Sequence, residues 1–479
     1  MFKKSLTIAL IALWLLSWPM MDNALAQESA PAAAAVVENL IDSGDTTWML
    51  VSSALVLLMT PGLAFFYGGL VRSRNVLNTM MMSLVMMGLI GVTWTLWGYS
   101  LAFDVTTPAS EGFGKGFEAF IGGLDWMFLN NVAADKVDPI GYAPTIPHQV
   151  FMVYQMMFAI ITPALISGAI VERVTFKTYF WFVLLWSTFI YSPLAHWVWG
   201  RGWMGAMGAL DFAGGTVVHI SSGVSAVVAA WVIGPRKDFQ SKPHTPHNVP
   251  YVLLGIGMLW FGWFGFNGGS ALSSGSLATV AFVTTMISAA AGGLTWTIIE
   301  WVLRGKPTAV GIASGFLAGL VGITPAAGYV LPIGALLIGS ITSVCCFFAV
   351  SLRVKLGFDD SLDTFPVHGV GGTVGALLTG VFATKAVNEA GNNGLLAGNP
   401  GLLLTQFITV VATYAFAAIG TFLILKLLAQ FMELRVVSSA EDQGLDIGEH
   451  GEEAYGEDFA GGFSAFDSGS PFAPKKVGS

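Results

Sequence analysis

Residues 211–223 read Asp211-Phe-Ala-Gly-Gly-Thr-Val-Val-His219-Ile-Ser-Ser-Gly223, which places a histidine inside an apolar, glycine-rich segment that begins with a carboxylate. On an α-helix, Gly215, His219 and Gly223 fall at i, i+4 and i+8, so one narrow face carries the imidazole between two glycines. Small residues on such a face allow another helix to approach closely. We therefore expect a membrane helix whose histidine face points into the protein and away from lipid.

A second copy of this arrangement occurs in the other half of the chain. Residues 363–372 read Asp363-Thr-Phe-Pro-Val-His368-Gly-Val-Gly-Gly372, with an acid before the segment, a histidine inside it and a glycine four residues later. A lone membrane histidine is readily explained by a hydrogen bond to a neighbouring carbonyl, but ionisable groups inside membrane spans are costly and by default mark a site or a pathway. Two histidines in matching positions favour a paired-imidazole site that lines a pore and can relay a proton.

Metal chemistry is poorly supported by the sequence. A catalytic metal would need a third ligand beside the histidines, and no Cys, Asp or Glu is obvious at the same depth. Cys345 and Cys346 are adjacent in one apolar segment and are interpreted as core residues. We expect no metal and no cofactor. A two-histidine metalloenzyme within the membrane is the alternative from a different class, and stoichiometric bound metal would identify it.

The composition defines the broad class. Of 479 residues, 54% are hydrophobic and only 10% are charged, whereas about a quarter of an ordinary soluble protein is charged. We therefore predict an all-α polytopic membrane protein, with a lipid bilayer as its surroundings and no nucleic acid as a partner.

Eleven apolar segments are long enough to be considered membrane spans. With the N-terminus outside, the inner loops and the start of the C-terminal segment hold twelve Lys or Arg residues and the outer loops four, as the positive-inside rule requires. An odd count suits two inverted five-helix repeats plus a final helix, with the histidines in the fifth and tenth spans and Asp363 as the counterpart of Asp211. The predicted spans are 47–70, 77–103, 149–171, 178–199, 213–233, 250–267, 277–303, 308–324, 331–352, 368–384 and 402–431.

The two ends of the chain differ from the membrane body. Residues 1–26 combine Lys3 and Lys4, an apolar run and Ala24-Leu-Ala26, which predicts a cleaved signal peptide. The alternative is a retained first transmembrane helix, for which the apolar run is short. We interpret 27–46 as a polar periplasmic leader, 47–431 as the eleven-helix domain and 432–479 as an acidic cytoplasmic tail. These assignments place the protein in the inner membrane of a Gram-negative cell, with its N-terminus periplasmic and its C-terminus cytoplasmic.

One tryptophan stands out by its position. Trp199 closes the sequence His196-Trp-Val-Trp199-Gly200 at the outer end of the fourth span. Most tryptophans at such depths form an interfacial belt. An aromatic face in an outer mouth can also attract a small cation.

The motifs around these residues are specific enough to indicate a family. Asp211 to His219 resembles the signature of the Amt/Mep/Rh ammonium transporters, in their bacterial Amt branch. Further matching stretches are Phe66-Tyr-Gly-Gly-Leu-Val-Arg72, Gly262-Trp-Phe-Gly-Phe-Asn-Gly-Gly-Ser270 and Phe365-Pro-Val-His-Gly-Val-Gly371. The resemblance covers about residues 47–456 and implies a homotrimer in which each subunit has its own pore.

The resemblance also assigns roles at the outer end of the pore. Trp199, Phe158 and Ser270 would form a site that recruits ammonium. Phe158 and Phe266 would stack beneath it as a gate. Asp211 would support recruitment and deprotonation.

Beneath the gate, His219 and His368 would be the twin histidines of the pore. A cation crossing a dry, phenylalanine-lined constriction would pay a large desolvation penalty, whereas ammonia would not. We expect recruitment of ammonium, deprotonation near the gate, passage of ammonia along the imidazoles and proton transfer through the histidine pair, which together give electrogenic uptake.

The C-terminal segment carries the remaining predictions. Residues 444–455 resemble the family's cytoplasmic segment, which docks on the inner face of the pore and takes part in regulation by a trimeric PII signal protein. A PII-type partner is therefore expected at this face. The alternative function of the same fold is an ammonium sensor that signals through its C-terminal tail.

Overall fold

The computed structural model describes residues 40–107, 112–241 and 245–455 of the chain. These residues form helices, turns and loops, and within them the only β-type pairing outside helices is an isolated bridge between Val174 and Arg435. The predicted signal peptide, the leader up to residue 39 and the tail from residue 456 lie outside the described residues.

Eleven helices of the described chain correspond one to one with the eleven predicted spans. Nine are long and apolar enough to cross a membrane. α8 is shorter, and α4 consists of three consecutive helical stretches. The helices are α1 Ser43–Leu70, α2 Ser73–Phe103, α3 His148–Ile170, α4 Phe176–Trp186 with Ser187–Tyr191 and Ser192–Val198, α5 Gly215–Ile233, α6 Val249–Ala271, α7 Ser276–Arg304, α8 Ala309–Ile323, α9 Pro332–Lys355, α10 Phe365–Phe382 and α11 Pro400–Leu428.

The helix starts follow from local sequence. Five helices begin after a residue whose side-chain oxygen accepts a hydrogen bond from the first turn, which satisfies a backbone N–H that has no partner in the helix. α9 and α11 have proline in their first turn, where the missing N–H is not needed. The capping residues are Asp42 for α1, Thr175 for α4, Asn248 for α6, Thr308 for α8 and Asn399 for α11.

Both histidines lie where their helices are locally widened. The first turns of α5 and α10 are π-helical, at Gly215–Ile220 and Phe365–Gly369. Such insertions are rare and frequently occur at functional sites. The two histidine helices therefore share an unusual backbone geometry as well as a sequence pattern.

Glycines bring these two helices into contact, as the i, i+4, i+8 spacing predicted. A β-carbon on Gly223 would lie 2.3 Å from the backbone nitrogen of Gly369. On the other side of the crossing, a β-carbon on Gly372 would lie 2.8 Å from the carbonyl oxygen of Gly215. The contact is reciprocal, as expected if α5 and α10 occupy equivalent places in two repeats.

The first helix of each predicted repeat is paired in the same way. α1 and α6 pack along their lengths, and a β-carbon on Gly255 would lie 2.3 Å from the backbone nitrogen of Phe66. Helices one and six, and helices five and ten, are thus matched partners. This pairing fits two five-helix repeats followed by α11.

The C-terminal segment packs on the face where α1, α3, α5, α7 and α9 end, which we call the tail face; the opposite side is the Trp199 face. The short helix of the C-terminal segment, Ser438–Gln443, and the residues after it form hydrogen bonds with the start of α2, the start of α4 and the loop after α5. Residues 438–455 therefore form an ordered layer. The bonds are Leu445 N to Asn75 Oδ1, Asn78 N to Asp446 Oδ1, Phe176 N to Glu449 Oε2 and Lys237 N to Glu441 Oε1.

Candidate functional site

The structure brings the two predicted histidines together at the crossing of α5 and α10. The Nδ1 atoms of His219 and His368 are 3.2 Å apart, and the ring centroids are separated by 5.2 Å. Each residue is 2% exposed. A hydrogen bond between two Nδ1 atoms requires one to donate and the other to accept, so the neutral pair holds opposite tautomers.

The Nε2 nitrogens of the two histidines have no hydrogen-bond partner among the described residues. Both Nε2 atoms are buried. One Nε2 is a donor and the other an acceptor, because the tautomers differ. A small solute that can both donate and accept would satisfy these atoms, whose burial without a partner is costly.

The histidines line a narrow cavity of about 10 Å³. The Trp263 indole on its wall is already committed, since its Nε1 donates to Thr324 Oγ1 at 3.0 Å. The two imidazoles are thus the polar side chains available to a solute here. The other lining residues are Met59, Leu63, Ile161, Leu165, Val218, Leu259, Phe266 and Leu317.

The predicted gate residues pack against each other at this cavity, which Phe266 lines. The rings of Phe158, from α3, and Phe266, from α6, are 4.3 Å apart at 41°, and each residue is 1% exposed. Phe266 in turn lies parallel to the imidazole of His219, with centroids 6.1 Å apart. Aromatic rings in contact therefore lead from Phe158 through Phe266 to His219.

A wider vestibule of about 260 Å³ opens on the Trp199 face. Trp199 meets Phe158 edge to face at 5.9 Å, and Ser270 lies on the same wall. None of the described residues lining it carries a charged side chain. The predicted outer site is thus assembled in one place, and its remaining lining residues are Phe103, Tyr142, Phe151, Gln155, Val198, Phe212 and Leu272.

Sequence reasoning missed Gln155 in this vestibule. It lies on α3, three residues before Phe158, and its neighbours along the chain are apolar or aromatic. An amide inside a membrane span is costly unless it is paired. A glutamine within the predicted span 149–171 was therefore a signal in the sequence that could have indicated a site residue.

Asp211 is near the vestibule but does not line it. Its carboxylate accepts hydrogen bonds from the backbone nitrogens of Gly214, Gly215, Thr216 and Val217 and from the Thr216 hydroxyl. Its carbonyl oxygen accepts the indole N–H of Trp199 at 2.8 Å. Asp211 therefore caps the start of the His219 helix and also orients Trp199.

The prediction that Asp363 is the counterpart of Asp211 is wrong. Asp360 instead accepts hydrogen bonds from the backbone nitrogens of Thr364 and Phe365 at the start of α10. Asp363 has a positive φ of 59° and pairs with Arg353 at 2.6 Å. Burial raises the pKa of Asp363 above its ordinary value, and the Arg353 guanidinium only partly offsets this effect.

A large cavity of about 1030 Å³ extends from the tail face to His368. Its lining includes charged side chains such as Arg72, Asp238 and Asp363. His368 lines both this cavity and the narrow one beneath the gate. An aromatic vestibule on the Trp199 face and a charged cavity on the tail face are thus separated by Phe158, Phe266 and the histidine pair.

A network of charged side chains borders this cavity, with Arg72 and Arg236 on its lining. Glu172 is fully buried and pairs with Arg72 at 2.6 Å and with Arg236 at 2.9 Å. Arg236 also pairs with Asp359 at 2.8 Å. Burial alone would raise the pKa of Asp359, but its hydrogen bonds to Arg236 and the nearby Arg173 hold the pKa below its ordinary value.

The metal-site alternative finds no additional ligands. Within the described parts of the chain, no group of three or more His, Cys, Asp or Glu side chains could hold a metal ion. Cys345 and Cys346 are free thiols, and Cys346 is buried in a small apolar cluster.

Fold and site together define a multi-pass membrane protein in which an aromatic pair and a histidine pair lie between two vestibules. The model of the Ammonium Transporter Family matches residues 47–455. The chain therefore belongs to the ammonium transporter family, as its motifs predicted. Members of this family are transporters, not enzymes.

Individual relatives agree. The chain is 49% identical to an ammonium transporter of Bacillus subtilis (strain 168), over 86% of this chain and 98% of that protein. It is 48% identical to an ammonium transporter of Aquifex aeolicus (strain VF5), over 87% and 95%. The crystal structure of Saccharomyces cerevisiae Mep2 superposes with a TM-score of 0.77 at 36% identity, covering 84% of this chain and 89% of that one.

A fourth similarity concerns signalling. A solved structure described as a sensor Amt protein has a TM-score of 0.76 and is 29% identical, covering 86% of this chain and 99% of that one. The same fold thus occurs in a protein described as a sensor.

Proposed function

We propose that this chain takes up ammonium by recruiting the cation at the aromatic vestibule, deprotonating it and conducting ammonia past the histidine pair, with the proton passed through that pair. The observation that carries the proposal is an apolar constriction between two phenylalanine rings that leads directly to two buried, hydrogen-bonded imidazoles. The net result is electrogenic uptake.

Recruitment rests on the chemistry of the vestibule. Trp199 and Phe158 present π-systems to a small cation, an attraction that grows as the site is desolvated. Ser270 supplies an oxygen on the same wall. Ammonium has four N–H donors and no acceptor, so rings and oxygens are its suitable partners.

Deprotonation follows from the closed gate. Rings 4.3 Å apart leave no room for a hydrated ion, and moving a bare cation into an apolar channel is strongly unfavourable. Ammonia is neutral and carries only a modest desolvation cost. Asp211 contributes by fixing Trp199 and the start of α5, because its carboxylate is already occupied by backbone N–H groups.

The histidine pair then interacts with both ammonia and the proton. Its Nε2 atoms offer one donor and one acceptor to ammonia, and the Nδ1–Nδ1 hydrogen bond gives a proton a path between the rings. Transfer of that proton switches both tautomers. The original tautomers must be restored before the pair can pass another proton in the same direction. His368 faces the large cavity, where the proton and ammonia can recombine.

Orientation and assembly are part of the proposal. The distribution of Lys and Arg supports a periplasmic Trp199 face and N-terminus and a cytoplasmic tail face and C-terminus in the inner membrane, after removal of the signal peptide. The family resemblance supports a homotrimer. The ordered layer formed by residues 438–455 on the tail face supports docking of a PII-type protein there.

The test is an electrical one. Purified protein in liposomes on a solid-supported membrane receives an ammonium pulse, with a potassium pulse and protein-free liposomes as controls. We expect a saturable current specific to ammonium, which His219→Ala and His368→Ala abolish or uncouple. Wild-type currents and selectivity in both variants would refute the role of the pair.

The second candidate function is ammonium sensing, favoured by the structural similarity to a sensor Amt protein and by the docked C-terminal segment. It predicts ammonium binding by folded protein without uptake. A protein that binds ammonium but gives neither current nor ammonia conduction would support this function over transport.

A further inference from the structure

Gln155 is a polar side chain in the outer vestibule that the motifs did not assign. It lines the same cavity as Trp199, Phe158 and Ser270, and it is 9% exposed. No described residue forms a hydrogen bond with its amide. A buried amide without a partner is costly, so its position next to a cavity indicates that a solute or water satisfies it.

The serine on the same wall is constrained to accept. Ser270 Oγ lies 2.8 Å from the carbonyl oxygen of Phe266 and 3.2 Å from the hydroxyl of Tyr154. The Tyr154 hydroxyl can itself donate to the carbonyl of Gly265 or Phe266, at 2.9 and 2.8 Å. The hydroxyl proton of Ser270 is therefore taken within the protein, and its free lone pair faces the vestibule.

We propose that Gln155 is a second hydrogen-bond acceptor of the outer site, which together with Ser270 binds two N–H groups of ammonium while Trp199 and Phe158 cover the others. The amide group can turn either its oxygen or its NH₂ toward the cavity. A solute made only of donors selects the oxygen. This inference rests on the proposed function, since it identifies how the same site binds its substrate.

The key variant is Gln155→Leu, which keeps a similar volume and removes both polar atoms. We expect the ammonium concentration for half-maximal current to rise about ten- to a hundredfold, as for loss of one hydrogen bond to a charged donor. The maximal current should change much less, because Gln155 lies above the gate and the proton path. A loss of maximal current with unchanged half-saturation would overturn the proposal.

Gln149→Leu is the matched control. Gln149 lies in the first turn of the same helix, and its Nε2 donates to the carbonyl of Val132, outside the vestibule. Its half-saturating concentration should stay within about twofold of wild type. Gln155→Glu restores an oxygen acceptor and adds negative charge, so it should bind ammonium at least as tightly as wild type; weakening equal to that of Gln155→Leu would refute an acceptor role.

A binding readout separates this inference from the proposed function. Ammonium that binds the folded protein raises its melting temperature in detergent, and sodium at equal ionic strength serves as the reference. A wild-type protein without current but with an ammonium-dependent rise that Gln155→Leu reduces would refute transport and support the acceptor. An equal rise in wild type and Gln155→Leu would refute the acceptor whatever the currents show.

Discussion

Replacing Gly223 with alanine tests whether the crossing of α5 and α10 holds the two histidines together. Gly223 lies one turn after His219, and a β-carbon there would lie 2.3 Å from the nitrogen and 2.5 Å from the Cα of Gly369. Both neighbours are backbone atoms, which cannot rotate away as a side chain could. To reach an ordinary contact of 3.4 Å, the helices must separate by about 1.1 Å, the difference between 3.4 and 2.3 Å.

This displacement is large compared with the tolerance of the histidine pair. Gly369 directly follows His368, so the separation is transmitted to an Nδ1–Nδ1 distance that is now 3.2 Å. A separation of about 4 Å is too long for a hydrogen bond. Overpacking of this kind costs about 1–3 kcal/mol of stability, which a folded variant can survive while its ammonium current falls at least tenfold.

The assay is the saturating ammonium current on a solid-supported membrane, measured per amount of folded protein. Gly257→Ala is the matched control, because a β-carbon at Gly257 on α6 meets nothing within 4 Å. Its current should equal that of wild type. If Gly223→Ala kept the wild-type current and a normal melting temperature, the contact would not set the histidine geometry and the reasoning would be refuted.

Two further predictions concern charges at the tail face. Glu172→Gln removes the buried carboxylate that Arg72 and Arg236 share, although Arg72 keeps Asp238 and Arg236 keeps Asp359. The variant should lose about 1–3 kcal/mol of stability, seen as a lower melting temperature in detergent. Lys237→Ala, which breaks an exposed ion pair, should change stability by under about 1 kcal/mol, and equal melting temperatures for the two variants would contradict the first estimate. Asp363 has a raised pKa in the folded protein, so the folded state binds more protons and the contribution of Asp363 to stability is lost as pH rises through that pKa. The melting temperature of Asp363→Asn relative to wild type should therefore become more favourable from pH 4 to pH 7, and a constant or opposite difference would contradict this sign.

The helices and the histidine contact could be predicted from sequence because each depends on local periodicity. The spacing of Gly215, His219 and Gly223 specifies one helical face, whatever the partner helix is. Apolar length and the distribution of Lys and Arg specify the spans. Even the shortest span, α8, with 15 residues and about 22 Å of helix, was predicted as 308–324, within one residue of its ends at Ala309 and Ile323.

The residues that meet in the vestibule could not be predicted from periodicity in this way. Gln155 and Ser270 lie on different helices, and no periodicity relates a residue of α3 to one of α6. Ser270 is an acceptor because the hydroxyl protons of Ser270 and Tyr154 are both donated within the protein. This depends on the hydrogen bond from Tyr154 on α3 to the carbonyl of Phe266 on α6. Contacts of this kind are set by packing distances between helices, which a sequence pattern does not contain.

The correction at Asp363 shows where a local signal was present but obscured. Asp211 precedes His219 by eight residues, and Asp360 precedes His368 by eight residues as well. In both cases the carboxylate accepts hydrogen bonds from the first backbone nitrogens of the π-helical turn, so the equal spacing fixes the same rotation and height of the imidazole relative to the helix start. Asp363 lies only five residues before His368, too close to reproduce that geometry. Both repeats thus position their histidine with a buried carboxylate that binds the start of the helix. The equal spacing of eight residues in the sequence distinguishes Asp360 from Asp363 as the counterpart of Asp211.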